Sequence, residues 1–198
     1  MGPLQLLNSN HLQSHLTLHL LAQTLSPVPF HSKTFPATIQ PSLTPTHTFS
    51  SHPPLNVLLV PGGMGTRTEV HNKTLMSFLS SFSTTPNIQI LSVCTGSLLL
   101  AHAGLLQNRR ATTNKLRFSE IMDLTKDCEN ITWVKQARWV KDGNVVTASG
   151  VAAGMDMTMG MLKEWVGEEL AFKVAQDIEF EPQWDSERDP FAAIHGLA

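Results

Sequence analysis

Tyrosine is missing from this 198-residue chain, cysteine occurs twice, and charged residues make up only 15% of it. Two cysteines, Cys94 and Cys128, are too few for a disulfide framework and form no spaced metal pair, which points to a reducing, cytoplasmic setting. A net charge of −2 supplies no basic field. Nucleic acid and anionic membranes are therefore disfavoured as partners, and a neutral small molecule or a protein partner is expected instead. No apolar run reaches the roughly 18 residues of a membrane span. The leucine-rich start is broken by Asn, His and Gln and has no basic leader, so it does not read as a signal peptide. What is plentiful is apolar side chain, at 41%, enough for one core in a chain of this length. We expect a single domain over residues 1–191 and a tail over 192–198. His11, His15 and His19 would share a helical face, but strict alternation over His15–Leu20 favours a strand with solvated histidines. No metal and no cofactor are expected.

The most informative stretch is IQILSVCTGSLLLAHAG, residues 88–104. Ile88–Val93 is short, apolar and β-branched, as a buried parallel strand requires. Cys94 follows, then the small residues Gly96 and Ser97, then a helix over Leu98–Ala103 closed by Gly104. A nucleophile at such a strand-to-helix elbow is pushed out at the carboxyl end of the sheet. There the helix's free N–H groups favour a thiolate over a thiol.

A second strand, Leu55–Val60, runs into Pro61-Gly62-Gly63, whose glycines allow positive φ and bare N–H groups at the strand's end. A helix from Thr68 or Glu69 through Leu79 separates the two strands. Repeated βα units imply a parallel sheet with ligands at the strands' carboxyl ends, so both special turns fall on one edge. Residues 26–54 are rich in Pro, Ser and Thr and read as a long connection with an edge strand near Ala37–Ile39. The Arg109-Arg110 pair reads as solvated surface, and Leu116–Leu124 as a helix. Strands at 131–134, 137–140 and 145–147, with a Lys141–Asn144 turn, read as an antiparallel flap. A long helix begins near Gly150 and is expected to continue past Gly167 to Ile178. Its methionines serve packing, and Asp156 needs a hydrogen-bond partner if buried. The segment from Glu181 onward reads as extended.

LLVPGGMGTR at 58–67, SVCTGSLLLAHAGLLQNRRATTNK at 92–115 and ARWVKDGNVVTASGVAAGMDM at 137–157 together resemble the ThiJ/PfpI superfamily. They are most similar to its isonitrile hydratase-like branch, within the class I glutamine amidotransferase-like fold. The resemblance implies a three-layer α/β sandwich with a flavodoxin-like, mostly parallel sheet and helices on both faces. It also implies a homodimer, Cys94 as nucleophile, and Gly62, Gly63 and Thr95 lining a substrate pocket. Isonitrile hydratases add water to an isocyanide to give an N-substituted formamide. The thiolate would attack carbon, the adduct would be protonated, and water would displace sulfur, with the N–H groups of Gly63 and Thr95 as donors to developing charge.

Two departures from that pattern bear on the activity. Protease-like and glyoxalase-like members place a histidine after the cysteine, where this chain has Thr95. Hydratase-like members place an acidic residue before a Gly-Pro pair at the end of a central first strand. Here that pair is Gly2-Pro3, so neither the acid nor the first strand is expected, and Gln5 cannot titrate in its place. Glu69 and Asp156 are the default candidates for a carboxylate serving Cys94. A non-catalytic or redox-sensing relative is the alternative, because an exposed thiolate without a base oxidises instead of turning over. The missing strand also predicts an obligate oligomer or poor solubility, with a remnant of a truncated gene as the third possibility.

Overall fold

A computed structural model describes residues 2–29 and 41–197, so the edge strand expected near Ala37–Ile39 lies outside the described residues. The chain forms two compact units, Met1–Leu16 with Leu55–Ala198, and Thr17–Pro54. The larger unit opens with α1 (Gly2–Leu7), in which Pro3 occupies the first turn, where no N–H is required. Among the described residues the smaller unit holds two-residue strands: β1 (Leu21–Ala22) pairs in parallel with β4 (His47–Thr48), and β2 (Val28–Pro29) pairs antiparallel with β3 (Ser42–Leu43). The strand expected over His15–Leu20 does not form. Its leucines share no common core: Leu16 packs with α1 whereas Leu18 is exposed. The histidines of this stretch and His11 each have a partner of their own. His11 pairs with Asp177 at 3.0 Å, His15 meets Ser14, and His19 stacks edge-on against His47.

The larger unit is built on a four-stranded sheet in the order β5-β6-β10-β9. Strand β5 is Val57–Val60, and α2 (Thr66–Glu69) and α3 (Lys73–Ser80) follow it. Then come β6 (Gln89–Val93) and α4 (Gly96–His102), and a short pair of β7 (Arg110–Ala111) with β8 (Thr132–Trp133) brackets α5 (Phe118–Leu124). Strands β9 (Trp139–Asp142) and β10 (Val145–Ala148) form the expected hairpin, but it is not a flap. Strand β10 is buried along its whole length because its second edge pairs in parallel with β6, which makes it an inner strand. Arg109 is not solvated surface. It caps the hairpin turn, donating to Asp142 O at 2.8 Å and Asn144 Oδ1 at 3.0 Å.

One sheet face is covered by α6 (Val151–Val166), where Met157 and Met161 pack on Leu91, Val93, Val146 and Ala148. Residues one position along each strand point to the opposite face, toward α4, whose Leu98 and Leu100 are fully buried. The helix expected to run to Ile178 stops at Gly167, where φ of +87° ends α6 and α7 (Glu168–Asp177) begins. The break turns α7 back so that Met159, Leu162, Ala171 and Val174 enclose Leu6 of α1. Near the end of the chain, Pro190–Ile194 is α8 instead of extended backbone, because Asp189 caps it by accepting from Phe191 N at 3.0 Å.

Candidate functional site

Register decides where the two special turns meet. Val60 lies opposite Ser92 on one side of β6, and Ala148 lies opposite Val93 on the other. The chain therefore leaves β5, β6 and β10 at the same edge of the sheet. Cys94, the first residue beyond β6, has φ of +60°, a left-handed conformation that costs a non-glycine residue about 1 kcal/mol or more. Its backbone is pinned on both sides. The N–H donates to Ala148 O at 3.0 Å, and the carbonyl accepts from Ser97 Oγ and Thr113 Oγ1, each at 3.2 Å. Two residues earlier, Ser92 Oγ is fully buried and is the one such side-chain atom among the described residues without a hydrogen-bond partner. Left-handed backbone and an orphan hydroxyl are both costly. Their coincidence in three residues marks a segment not optimised for stability alone.

Gly62 and Gly96 let the glycine turn touch this elbow. A Cβ on Gly62 would lie 2.5 Å from Thr95 N, and one on Gly96 would lie 2.3 Å from Val60 O. Thr95 sits at the N-cap of α4, yet its side chain does not cap the helix. Its Oγ1 instead accepts from Gly63 N at 2.9 Å and lies 3.1 Å from Gly63 O, which it can reach as a donor. Forgoing a cap costs about 1 kcal/mol, so the hydroxyl is spent on joining the two turns. The structure thus brings together Cys94, Thr95, Gly62 and Gly63. It also gives the Gly63 N–H, expected to face developing charge, a partner in Thr95.

The two candidate carboxylates are engaged elsewhere. Glu69 accepts from Asn72 Nδ2 at 2.9 Å. Asp156 is buried, accepts from Arg138 Nε at 2.9 Å and from Gln183 N at 2.9 Å, and so has the partners its burial demands. Sequence reasoning missed Ser97 and Thr113, which bond the Cys94 carbonyl, and Thr66 and Arg67, which bond the Gly63 carbonyl, with Glu120 holding Arg67. Thr66 and Arg67 stand inside the GTR triplet of the first motif and Thr113 inside ATTNK of the second, where short hydroxyls beside a turn were the available signal.

Behind Thr113 lies a buried ion pair. Lys115 Nζ sits 3.6 Å from Asp189 Oδ2 with side chains 3% and 0% exposed, and it donates to Thr112 Oγ1 at 2.6 Å. Burial lowers the Lys115 pKa from 10.5 to about 8, against the opposing pull of Asp189. Between those two values the unfolded chain binds more protons than the folded one, so stability rises with pH; below about 8 the cost of the buried charge is present in full. The rise is at most about 3 kcal/mol between pH 8 and 10.5. Urea unfolding midpoints of the wild type are expected to climb over that range. In Lys115→Met the climb disappears, and the protein is weaker below about pH 8, where Asp189 stays buried without the cation it faces in the wild type.

Among the described residues no group of three or more His, Cys, Asp or Glu could hold a metal ion, and no helix is long and apolar enough to cross a membrane. Residues 32–164 match the DJ-1/PfpI family. The chain is 39% identical over 140 residues to an isonitrile hydratase of Pseudomonas putida, covering 71% of this chain and 58% of that protein. It is 30% identical over 107 residues to the HTH-type transcriptional regulator CdhR of Pseudomonas aeruginosa, covering 52% of this chain and 31% of that one. It therefore spans less than two thirds of the length of either relative. A crystal structure of a ThiJ/PfpI family protein from Pseudomonas syringae superposes with a TM-score of 0.75 at 28% identity, covering 92% of this chain and 69% of the other.

Proposed function

The chain belongs to the DJ-1/PfpI family, and from that premise we propose that it is an isonitrile hydratase-like enzyme with Cys94 as its nucleophile. The observation that carries this reading is the Cys94 elbow, held left-handed at φ +60° by bonds to both of its peptide groups. Identity of 39% to an isonitrile hydratase supports the substrate class. In the proposed reaction the thiolate adds to the terminal carbon of R–NC, and a proton joins the same carbon to give a thioimidate, R–N=CH–S. Water then adds to that carbon, the C–S bond breaks, and R–NH–CHO leaves with the thiolate restored. Gly62, Gly63 and Thr95 line the substrate pocket in this reading, and the active species is a homodimer, which sedimentation would test.

Formation of the N-substituted formamide from simple alkyl and aryl isocyanides, followed by NMR, tests the activity. Iodoacetamide with intact-mass detection tests the sulfur. Cys128 is the internal control, since burial, reinforced by the neighbouring Asp127 carboxylate, pushes its thiol up. Cys94 is expected to alkylate first, and formamide production to stop with it. No formamide from the unmodified protein would overturn the enzyme reading. A second reading is favoured by the engagement of Glu69 and Asp156 with other partners: Cys94 acts as an oxidant sensor. Dilute peroxide would then add two oxygens to Cys94 as sulfinic acid, in a protein that forms no formamide.

A further inference from the structure

The glycine turn that faces Cys94 is held by little side-chain packing. A Cβ placed on Gly63 or on Gly65 would meet nothing within 4 Å, and Met64 between them is 67% exposed. Gly63 itself has φ of +145°, a region where glycine moves freely, so its own sterics do not fix the direction of its peptide groups. Four donors converge on its carbonyl instead. Thr66 Oγ1 lies at 2.9 Å, Thr95 Oγ1 at 3.1 Å, Thr66 N at 3.2 Å and Arg67 Nη1 at 3.2 Å. A carbonyl oxygen has two lone pairs, so these donors share it, and Arg67 supplies the one charged donor among them.

Arg67 differs from the others in being anchored outside the turn. Its Nε donates to Glu120 Oε1 at 2.9 Å and its Nη2 to Glu120 Oε2 at 3.0 Å, a two-pronged pair across 53 residues of sequence. The Arg67 side chain is 20% exposed and that of Glu120 39%, so the pair is half-buried and its two-pronged geometry, not burial, fixes it. Its hydrogen bonds hold the Glu120 carboxyl below the usual carboxylate range, with Arg117 adding a weaker contact at 3.8 Å. Glu120 lies on α5, so the fork ties the turn to a helix outside the βα units that carry the two turns.

We propose that Arg67, clamped by Glu120, is a positioning residue that sets the Gly63 peptide groups against Thr95 and the Cys94 elbow. The proposal rests on the reading of Cys94 as the nucleophile. Without the fork, the Gly63 carbonyl keeps only donors from its own turn and from Thr95. Its peptide groups then rock, and with them the Thr95 hydroxyl that spans both turns. Misplacement by an ångström at such a site costs up to roughly 100-fold in rate.

The test uses Arg67→Met, Arg67→Lys and Glu120→Gln, the last nearly isosteric and expected to fold. Amide exchange of Gly63 and Thr66 in Arg67→Met is expected to rise at least about tenfold, while Leu91 and Val93 in β6 stay protected. For isocyanide hydration kcat is expected to fall roughly 10- to 100-fold with KM nearly unchanged. Arg67→Lys keeps the charge but loses the fork, so it recovers part of kcat, and Glu120→Gln behaves likewise. Unchanged exchange at Gly63 and Thr66 would overturn the proposal, as would raised exchange with an unchanged kcat. A wild type that hydrates no isocyanide would sink the enzyme reading instead, and the exchange data alone would then decide whether Arg67 sets the turn.

Discussion

Replacing Cys94 by alanine is expected to lower isocyanide hydration by on the order of 10³-fold or more, the scale on which loss of a nucleophile is felt. No neighbouring group can stand in for the sulfur. Thr95 Oγ1 is tied to Gly63, and the hydroxyls of Ser97 and Thr113 are within 2.8 Å of each other beneath the elbow. The backbone of the elbow should survive the change, because its bonds to Ala148, Ser97 and Thr113 run through the peptide groups of residue 94 and not through its side chain. Folding stability separates this from a structural effect. Alanine and cysteine both carry a Cβ at φ +60°, whereas glycine there relieves the strain. Cys94→Gly is therefore expected to be about 1 kcal/mol more stable than Cys94→Ala in urea and equally inactive. An alanine variant that keeps turnover would remove Cys94 from the mechanism. A glycine variant less stable than alanine would show that the left-handed backbone is not a cost borne for function.

The elbow and the glycine turn were legible because their signals are local: an apolar β-branched run, a cysteine, and small residues at fixed offsets. The family resemblance then supplied the pairing of Cys94 with Thr95, Gly62 and Gly63. What failed to show was anything decided at a distance. Lys141–Asn144 announces a hairpin, but nothing in those residues says that the second edge of β10 will be taken by β6, and so the pair read as a flap. Gly167 sits in a helical pattern that tolerates one glycine; only the need to fold α7 back over α1 makes it a terminus. The Arg67–Glu120 fork and the buried Lys115–Asp189 pair join residues 53 and 74 positions apart, so they leave no periodic trace. The hydroxyl of Thr95 is the intermediate case. It stands at the N-cap position of α4 without capping it, and that failure to cap is what exposes its other task.

Gly96 carries the second large effect. At an ordinary position near a helix start, Gly→Ala stabilises by about 0.5–1 kcal/mol because the unfolded chain loses freedom. At Gly96 the new Cβ would stand 2.3 Å from Val60 O, 3.0 Å from Pro61 C and 3.1 Å from Pro61 O, all of them backbone atoms at the end of β5. No rotamer change can make room, so α4 must withdraw from the sheet or the glycine turn must move. Gly62 restricts the second route, since the turn already passes so close to α4 that a Cβ on Gly62 would lie 2.5 Å from Thr95 N and 2.8 Å from Gly96 N. Gly96→Ala is therefore expected to cost roughly 3 kcal/mol or more, at or beyond the upper end for overpacking a filled core, and to slow Cys94 alkylation as the elbow is displaced. Gly65→Ala is the matched control. Its Cβ would meet nothing within 4 Å and its φ of −62° suits any residue, so the same substitution should stabilise by roughly 0.4–1 kcal/mol. Opposite signs for one chemical change, five residues beyond Val60 in one case and directly against it in the other, would locate the constraint in the approach of the two turns. Equal signs would mean that the β5 end and the start of α4 are not in contact, and with that the geometry assigned to the site would fall.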